Sequence, residues 1–254
     1  MTGTKKSSEN KNSRSYKIFS SKKHVDVVKG QVKVQILDAL CQKNLSFNEI
    51  VELTGKAKPT VSQHLSELVA NGLIVSIKDP NDKRRKIFSI NAEFLCELSS
   101  DNESKFDIEE YFSNISNFSD PFDFYRLILR AVRTEFWNDG MNIDPILHKA
   151  GIRVGNVFYN ELKADDLKSV LENIKKFWED KHLGKVEVKT LDPLVICVFD
   201  CFECKDLPEI GEPACSFDSG LLDAIFSKHF DTDITTIETT CFAMGDECCT
   251  FMIN

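Results

Sequence analysis

Nine cysteines stand in the 254 residues, and six of them fall within residues 201–254. The densest stretch is ETTCFAMGDECCTFMI, which runs from Glu238 to Ile253 and holds Cys241, Cys248 and Cys249. Upstream, VFDCFECKD carries Cys201 and Cys204 as C-x-x-C, and PACSF carries Cys215. Thiols serve as soft metal ligands, and thiolates are also the sulfur species that oxidants attack. Three thiolates and a carboxylate converging at about 2.0–2.3 Å would make a closed tetrahedral zinc site. The plainer use of a cysteine is as a small buried hydrophobe. That reading suits Cys41 and Cys96, each alone in apolar surroundings.

The elements that must position these thiols can be read from periodicity. KVEVK and PLVICVFD read as strands, FDSGLLDAIFSKHF as a helix, and DITTIETT and CCTFMI as strands joined by the turn MGDE. Glu238 and Cys241 then end one strand, while Cys248 and Cys249 begin the next. Cys215 stands just before a helix, and Cys201 and Cys204 follow a strand. A hairpin across Gly245-Asp246 would gather Cys215, Glu238, Cys241 and a further cysteine. Ahead of them, HKAGIRVGNVFYNEL reads as a helix with Val154, Val157, Phe158 and Leu162. ADDLKSVLENIKKFWEDKH reads as a second, with Leu167, Val170, Leu171, Ile174, Phe177 and Trp178 on one face and an acidic first turn. This half is expected to be α+β, with an antiparallel sheet and helices on its face.

Charge divides the chain. Residues 1–95 hold 17 Lys/Arg against 9 Asp/Glu, whereas residues 96–254 hold 15 against 31. A basic block joined to an acidic one implies two domains with different partners. No apolar run approaches the roughly 18 residues that span a bilayer, so no membrane partner is expected. The opening MTGTKKSSENKNSRSYK is polar and basic without an apolar segment, so residues 1–22 read as a disordered tail. A cytoplasmic location follows as an expectation, and with it reduced thiols as the default.

In the basic half, QVKVQILDALCQK places Val32, Ile36, Leu37 and Leu40 on one helical face. Ser46 and Glu49 fit a capping box opening FNEIVELT, which Gly55 ends. PTVSQHLSELVANG follows, with Pro59 in the first turn and Val61, Leu65, Leu68 and Val69 toward the core. Thr60, Ser62, Gln63 and His64 cluster at its N-terminal end. Two β-rich runs, Leu73–Ile77 and Ile87–Ile90, flank a turn on Asp79-Pro80-Asn81-Asp82, followed by Lys83, Arg84, Arg85 and Lys86. Three helices and a basic hairpin over residues 23–95 make a winged helix-turn-helix. In such a fold the second helix of the turn pair enters the major groove of double-stranded promoter DNA. Lys58, Thr60, Ser62, Gln63 and His64 are the candidate readers there, and Lys83, Arg84 and Arg85 the candidate phosphate contacts of the wing. A core or capping role for His64 competes with base reading.

TVSQHLSEL, with the flanking LSFNEIVELT and the GL that opens the wing strand, resembles the ArsR-type winged-helix repressors over about residues 31–91. Ala57 departs from that pattern, where a serine often caps the recognition helix. The family's metal-sensing cysteine motif is also missing, so sensing is expected in the acidic half. From about Asp144 to Asn254, the pieces AGIRVGNVFYNEL, VFDCFEC, PACSFDSGLL and ETTCFAMGDECCTF resemble the 4-vinyl-reductase-type domain. The resemblance implies a ligand- or state-sensing domain. In bacterial phenol-responsive relatives this domain holds zinc through Cys, Glu, Cys and Cys, which implies Cys215, Glu238, Cys241 and Cys249 here, one zinc per chain. Cys248, beside Cys249, is the alternative ligand. Between the domains, residues 96–143 read as a linker with candidate dimerisation helices. Among these, Phe122 to Trp137 is amphipathic, with apolar positions at 124, 127, 128, 131 and 132.

The two domains in this order resemble methanogen-specific archaeal regulators. That resemblance implies a homodimer whose promoter binding is controlled by redox state, with Cys201, Cys204, Cys215, Cys241 and Cys248 as redox candidates. A second expectation is a regulator that senses a small apolar or aromatic effector around a purely structural zinc. An enzyme is not expected. A closed four-ligand site leaves no open metal position, no nucleotide-binding glycine loop is present, and the five histidines are scattered.

Overall fold

The Ser46 side chain accepts from the Glu49 amide while the Glu49 carboxylate accepts from the Ser46 amide, which closes the capping box read from the sequence. The structure, a computed structural model, describes residues 15–22, 24–78, 85–99, 107–113, 115 and 121–254. It divides into residues 1–103 and 104–254.

The first unit contains β1 (Ser15–Ser20), β2 (Val25–Val28), α1 (Gln31–Gln42), β3 (Leu45–Ser46), α2 (Phe47–Thr54), α3 (Lys58–Ala70), β4 (Ile74–Lys78), β5 (Lys86–Ile90) and β6 (Glu93–Ser99). Strand β5 lies between β3 and β4, antiparallel to both, and forms the return strand of the wing. Ile36, Leu37 and Leu40 of α1 pack with Ile50, Val61, Leu65, Leu68 and Phe88 in one core. Gly55 ends α2 at φ 61°, a left-handed position that glycine takes without a Cβ clash. Val69, expected on the core side of α3, is exposed, because the buried stripe passes through Val61, Leu65 and Leu68 alone.

The expectation of a disordered tail over residues 1–22 is corrected for Ser15–Ser20. These residues form β1, antiparallel to both β2 and β6. Phe19 is fully buried and packs against Phe94, ring centroids 5.3 Å apart, so one aromatic anchor outweighs the polar composition around it. Cys96 is buried in β6 as expected, whereas Cys41 is exposed.

The second unit contains α4 (Ile108–Ser113), α5 (Pro121–Asn138), β7 (Met141–Asn142), α6 (Asp144–Leu162), α7 (Leu167–Asp180), β8 (Lys185–Leu191), β9 (Leu194–Phe199), α8 (Ser216–Phe230), β10 (Thr236–Thr240) and β11 (Cys249–Ile253). The last four strands form an antiparallel sheet in the order β10-β11-β9-β8. The fold is therefore α+β with antiparallel sheets, as read from the sequence. Helix α7 buries Val170, Leu171, Ile174, Phe177 and Trp178. Its first turn holds no acidic residue, and Asp166 instead caps it by accepting from the Ser169 amide at 3.0 Å.

Helices α6 and α8 approach closely because glycines face the contact. A Cβ on Gly151 would lie 2.1 Å from the Phe217 carbonyl oxygen, and one on Gly220 would lie 2.0 Å from that of His148. Val157 of α6 points the other way and is exposed. This contact seats α8, whose N-cap residue is Cys215. Gly220→Ala should force the two helices apart and destabilise the second unit by about 1–3 kcal/mol or more. Both tryptophans, Trp137 and Trp178, lie in that unit. A lowered urea midpoint in their fluorescence would verify the contact, and an unchanged midpoint would contradict it.

Candidate metal centre and nucleic-acid face

Four chain segments deliver the thiols. After β9, the Lys205 amide donates to the Cys201 carbonyl at 3.1 Å, closing one helical turn that sets Cys201 and Cys204 on the same side. Cys215 caps α8. Cys241 follows β10, where its amide donates to the Asp246 carboxylate at 3.0 Å and fixes the turn before β11. Cys249 begins β11, and its side chain points to the buried face shared by Phe251 and Ile253. Strand alternation turns Cys248 to the opposite face, where it forms a disulfide with Cys197 of β9. Cys248 is a redox candidate from sequence, whereas Cys197 escapes notice there because it sits inside an apolar strand.

Cys201, Cys204, Cys215, Cys241 and Cys249 are all fully buried in the domain core. The expected set of Cys215, Glu238, Cys241 and Cys249 presents ligand atoms within 4.8 Å of one another, and so does the set of Cys201, Cys204, Cys215 and Cys249. Glu238 accepts from the Cys215 amide at 2.9 Å through Oε2, while its Oε1 is buried without a hydrogen-bond partner. Asp218 Oδ1 is likewise buried and unpartnered. Burial pushes the Glu238 carboxyl up to about 9, with the Cys241 charge adding to the effect. Burial also raises the Cys215 thiol and the Asp218 carboxyl. Five buried thiols and two carboxylates, with orphaned acceptor atoms, form a donor set that fits a soft divalent cation.

Around this centre, helix α5 is inverted. Its apolar residues Ile128 and Val132 are 45% and 48% exposed, whereas Arg130, Arg133 and Thr134 are buried. Three arginines at i, i+4 and i+7 grip the loop that carries the C-x-x-C. Arg126 donates to the His182 carbonyl at 2.6 Å and lies 3.8 Å from Asp200. Arg130 bonds Asp206 at 2.7 Å. Arg133 bonds Glu203 at 2.7 Å and Asp144 at 3.2 Å. Arg133 and Glu203 are each 1% exposed. Glu203 lies between the two cysteines of the C-x-x-C and accepts from the Phe217 and Asp218 amides at 3.2 and 3.1 Å, satisfying the N-terminus of α8. Burial pushes the Glu203 carboxyl up to about 7 against the pull of Arg133.

In the first unit, Lys58, Thr60, Ser62 and Gln63 are exposed on the N-terminal part of α3. Gln63 donates to Glu67 at 3.0 Å on the same helix. His64 is half-buried, and its Nδ1 is buried without a hydrogen-bond partner. Ala57 is the N-cap, with no side-chain cap, as expected from the departure noted there. Arg85 stands just before β5, and Lys83 and Arg84 lie outside the described residues. Among the described residues, no helix is long and apolar enough to cross a membrane.

Residues 30–76 match the model of the bacterial regulatory proteins of the arsR family, and residues 194–254 match the model of the 4-vinyl-reductase-type domain. The chain thus carries an arsR-family helix-turn-helix domain followed by a 4-vinyl-reductase-type domain. One uncharacterized protein of Methanocaldococcus jannaschii is 30% identical over 83 residues, 33% of this chain and 52% of that protein. The chain thus spans about half the length of that relative. A second uncharacterized protein from the same organism is 27% identical over 129 residues, 50% of this chain and 73% of that protein. A solved vinyl-4-reductase family protein of Methanocaldococcus jannaschii is 16% identical, with TM-score 0.39, over 58% of this chain and 87% of that chain.

Breaking the Arg133–Glu203 pair from one side leaves a buried charge unmatched. Arg133→Met should cost about 3–5 kcal/mol, and adding Glu203→Gln should recover part of it. Urea titration followed by tryptophan fluorescence measures both. Equal losses in the single and double variants would contradict the pairing.

Proposed function

We infer that the chain is a DNA-binding transcription regulator whose cysteine-rich C-terminal domain senses redox state and sets promoter binding. The observation that carries this is the presence in one chain of an exposed polar N-terminal face on α3 and a buried cluster of five thiols. Recognition is assigned to Thr60, Ser62, Gln63 and His64, with Lys58, Arg85 and the wing residues Lys83 and Arg84 on phosphates. A homodimer would place two α3 helices on a near-palindromic site. A zinc ion, one per chain, would be held among Cys215, Glu238, Cys241, Cys249 and their neighbours, and would offset the charge of the thiolates. The site is read as regulatory rather than enzymatic, and the protein as cytoplasmic.

Oxidation has a defined chemistry here. Two of the clustered sulfurs joining as a disulfide give two electrons to an oxidant such as peroxide, which leaves as water. The loss of two metal-ligating thiolates would loosen the loop that α5 grips through Arg126, Arg130 and Arg133.

Fluorescence anisotropy with promoter DNA tests the proposal. Affinity should differ at least tenfold between reduced and peroxide-treated protein and return with a thiol reductant. Peroxide-insensitive binding would favour a small-molecule effector as the signal instead. Lys58→Ala combined with Arg85→Ala should weaken binding across all sequences and lower the salt slope by about 2. Gln63→Ala should cost about 1–3 kcal/mol on the cognate site and little elsewhere. Unchanged affinity in both variants would remove α3 and the wing from the interface.

A further inference from the structure

The sulfurs of Cys204, Cys215, Cys241 and Cys249 are mutually close along all six of their separations. Cys204 stands 3.1 Å from Cys215, 3.6 Å from Cys241 and 3.2 Å from Cys249. Cys215 stands 3.8 Å from Cys241 and 3.5 Å from Cys249, and Cys241 stands 3.9 Å from Cys249. These are the six edges of a tetrahedron. A zinc–sulfur bond of about 2.3 Å requires an edge of about 3.8 Å. Cys201 stands 3.5 Å from Cys215 and 3.5 Å from the Asp218 carboxylate, and with Cys204, Cys215 and Cys249 it forms a second quartet within 4.8 Å that leaves out Cys241. Glu238 already spends Oε2 on the Cys215 amide.

We propose that Cys204, rather than Glu238, completes a four-thiolate metal site with Cys215, Cys241 and Cys249. The inference rests on the reading of this cluster as a metal centre and specifies its ligands. Glu238 then serves as a positioning residue that holds the backbone of Cys215. Cys201 is the surplus thiol, next to the site without belonging to it. The ligand set brings the C-x-x-C loop into the centre, so the segment held by Arg126, Arg130 and Arg133 is itself metal-bound.

X-ray absorption on the full, unmutated chain loaded with zinc under anaerobic conditions counts the neighbours directly. The proposal requires four sulfurs at about 2.3 Å. Three sulfurs and one oxygen would overturn it while leaving the metal centre intact, and failure to bind any zinc would overturn the metal reading itself. Cobalt(II) substitution then identifies the fourth sulfur. Cys204→Ser should lose about a quarter of the thiolate-to-cobalt charge-transfer intensity, or lose the metal altogether. Glu238→Gln and Cys201→Ser should keep the full intensity. Full intensity in Cys204→Ser, or loss in either of the other two variants, would contradict the assignment. Circular dichroism of each variant separates ligand loss from unfolding.

Discussion

The buried ion pair between Arg133 and Glu203 is the constraint on which the second unit is arranged. Neither side chain reaches solvent, so each charge depends on the other 2.7 Å away, with Asp144 a second partner for Arg133 at 3.2 Å. Glu203 spends its remaining capacity on the amides that open α8, and Cys215 is the N-cap residue of that helix. A single carboxylate therefore ties together α5, the C-x-x-C loop and the helix end that presents a thiol. The apolar face of α5 is left outward as a consequence, because the arginine face is the one turned toward carboxylates that can satisfy it.

The thiol cluster follows the same logic from the opposite sign. Burial opposes ionisation at Cys215, Asp218 and Glu238, and the orphaned oxygens of Asp218 and Glu238 mark a pocket short of positive charge. Arg133 provides one unit of positive charge nearby. A bound divalent cation would provide the rest, and its loss would return that cost to the loop and the hairpin. Strand alternation keeps the two adjacent cysteines apart in role: Cys249 faces the core and Cys248 faces Cys197 across the sheet.

Much of this was legible in the residues themselves. The capping box, the apolar spacing of α1 and α3 and the hairpin thiols are all local patterns, and the structure brings the ligand atoms of Cys215, Glu238, Cys241 and Cys249 within 4.8 Å of one another. What was not legible depends on distant partners. An arginine stripe on α5 reads as the solvated face until acids some seventy residues later are folded against it, as Arg133 with Glu203 illustrates. Cys197 was hidden because a cysteine in an apolar strand is indistinguishable from core. β1 was hidden because one phenylalanine decides it inside a polar tail. Val69 was misplaced because a helical stripe is narrower than its apolar content suggests.

In the proposed switch, a change at the cysteine centre would pass to α5 through Arg126, Arg130 and Arg133. Hydrogen–deuterium exchange of residues 121–138 tests it, comparing reduced, zinc-loaded protein with the same protein after mild peroxide. Peroxide should speed exchange in α5 together with the loop at residues 200–206. Faster exchange confined to the hairpin around Cys241 and Cys249, with α5 unchanged, would contradict it.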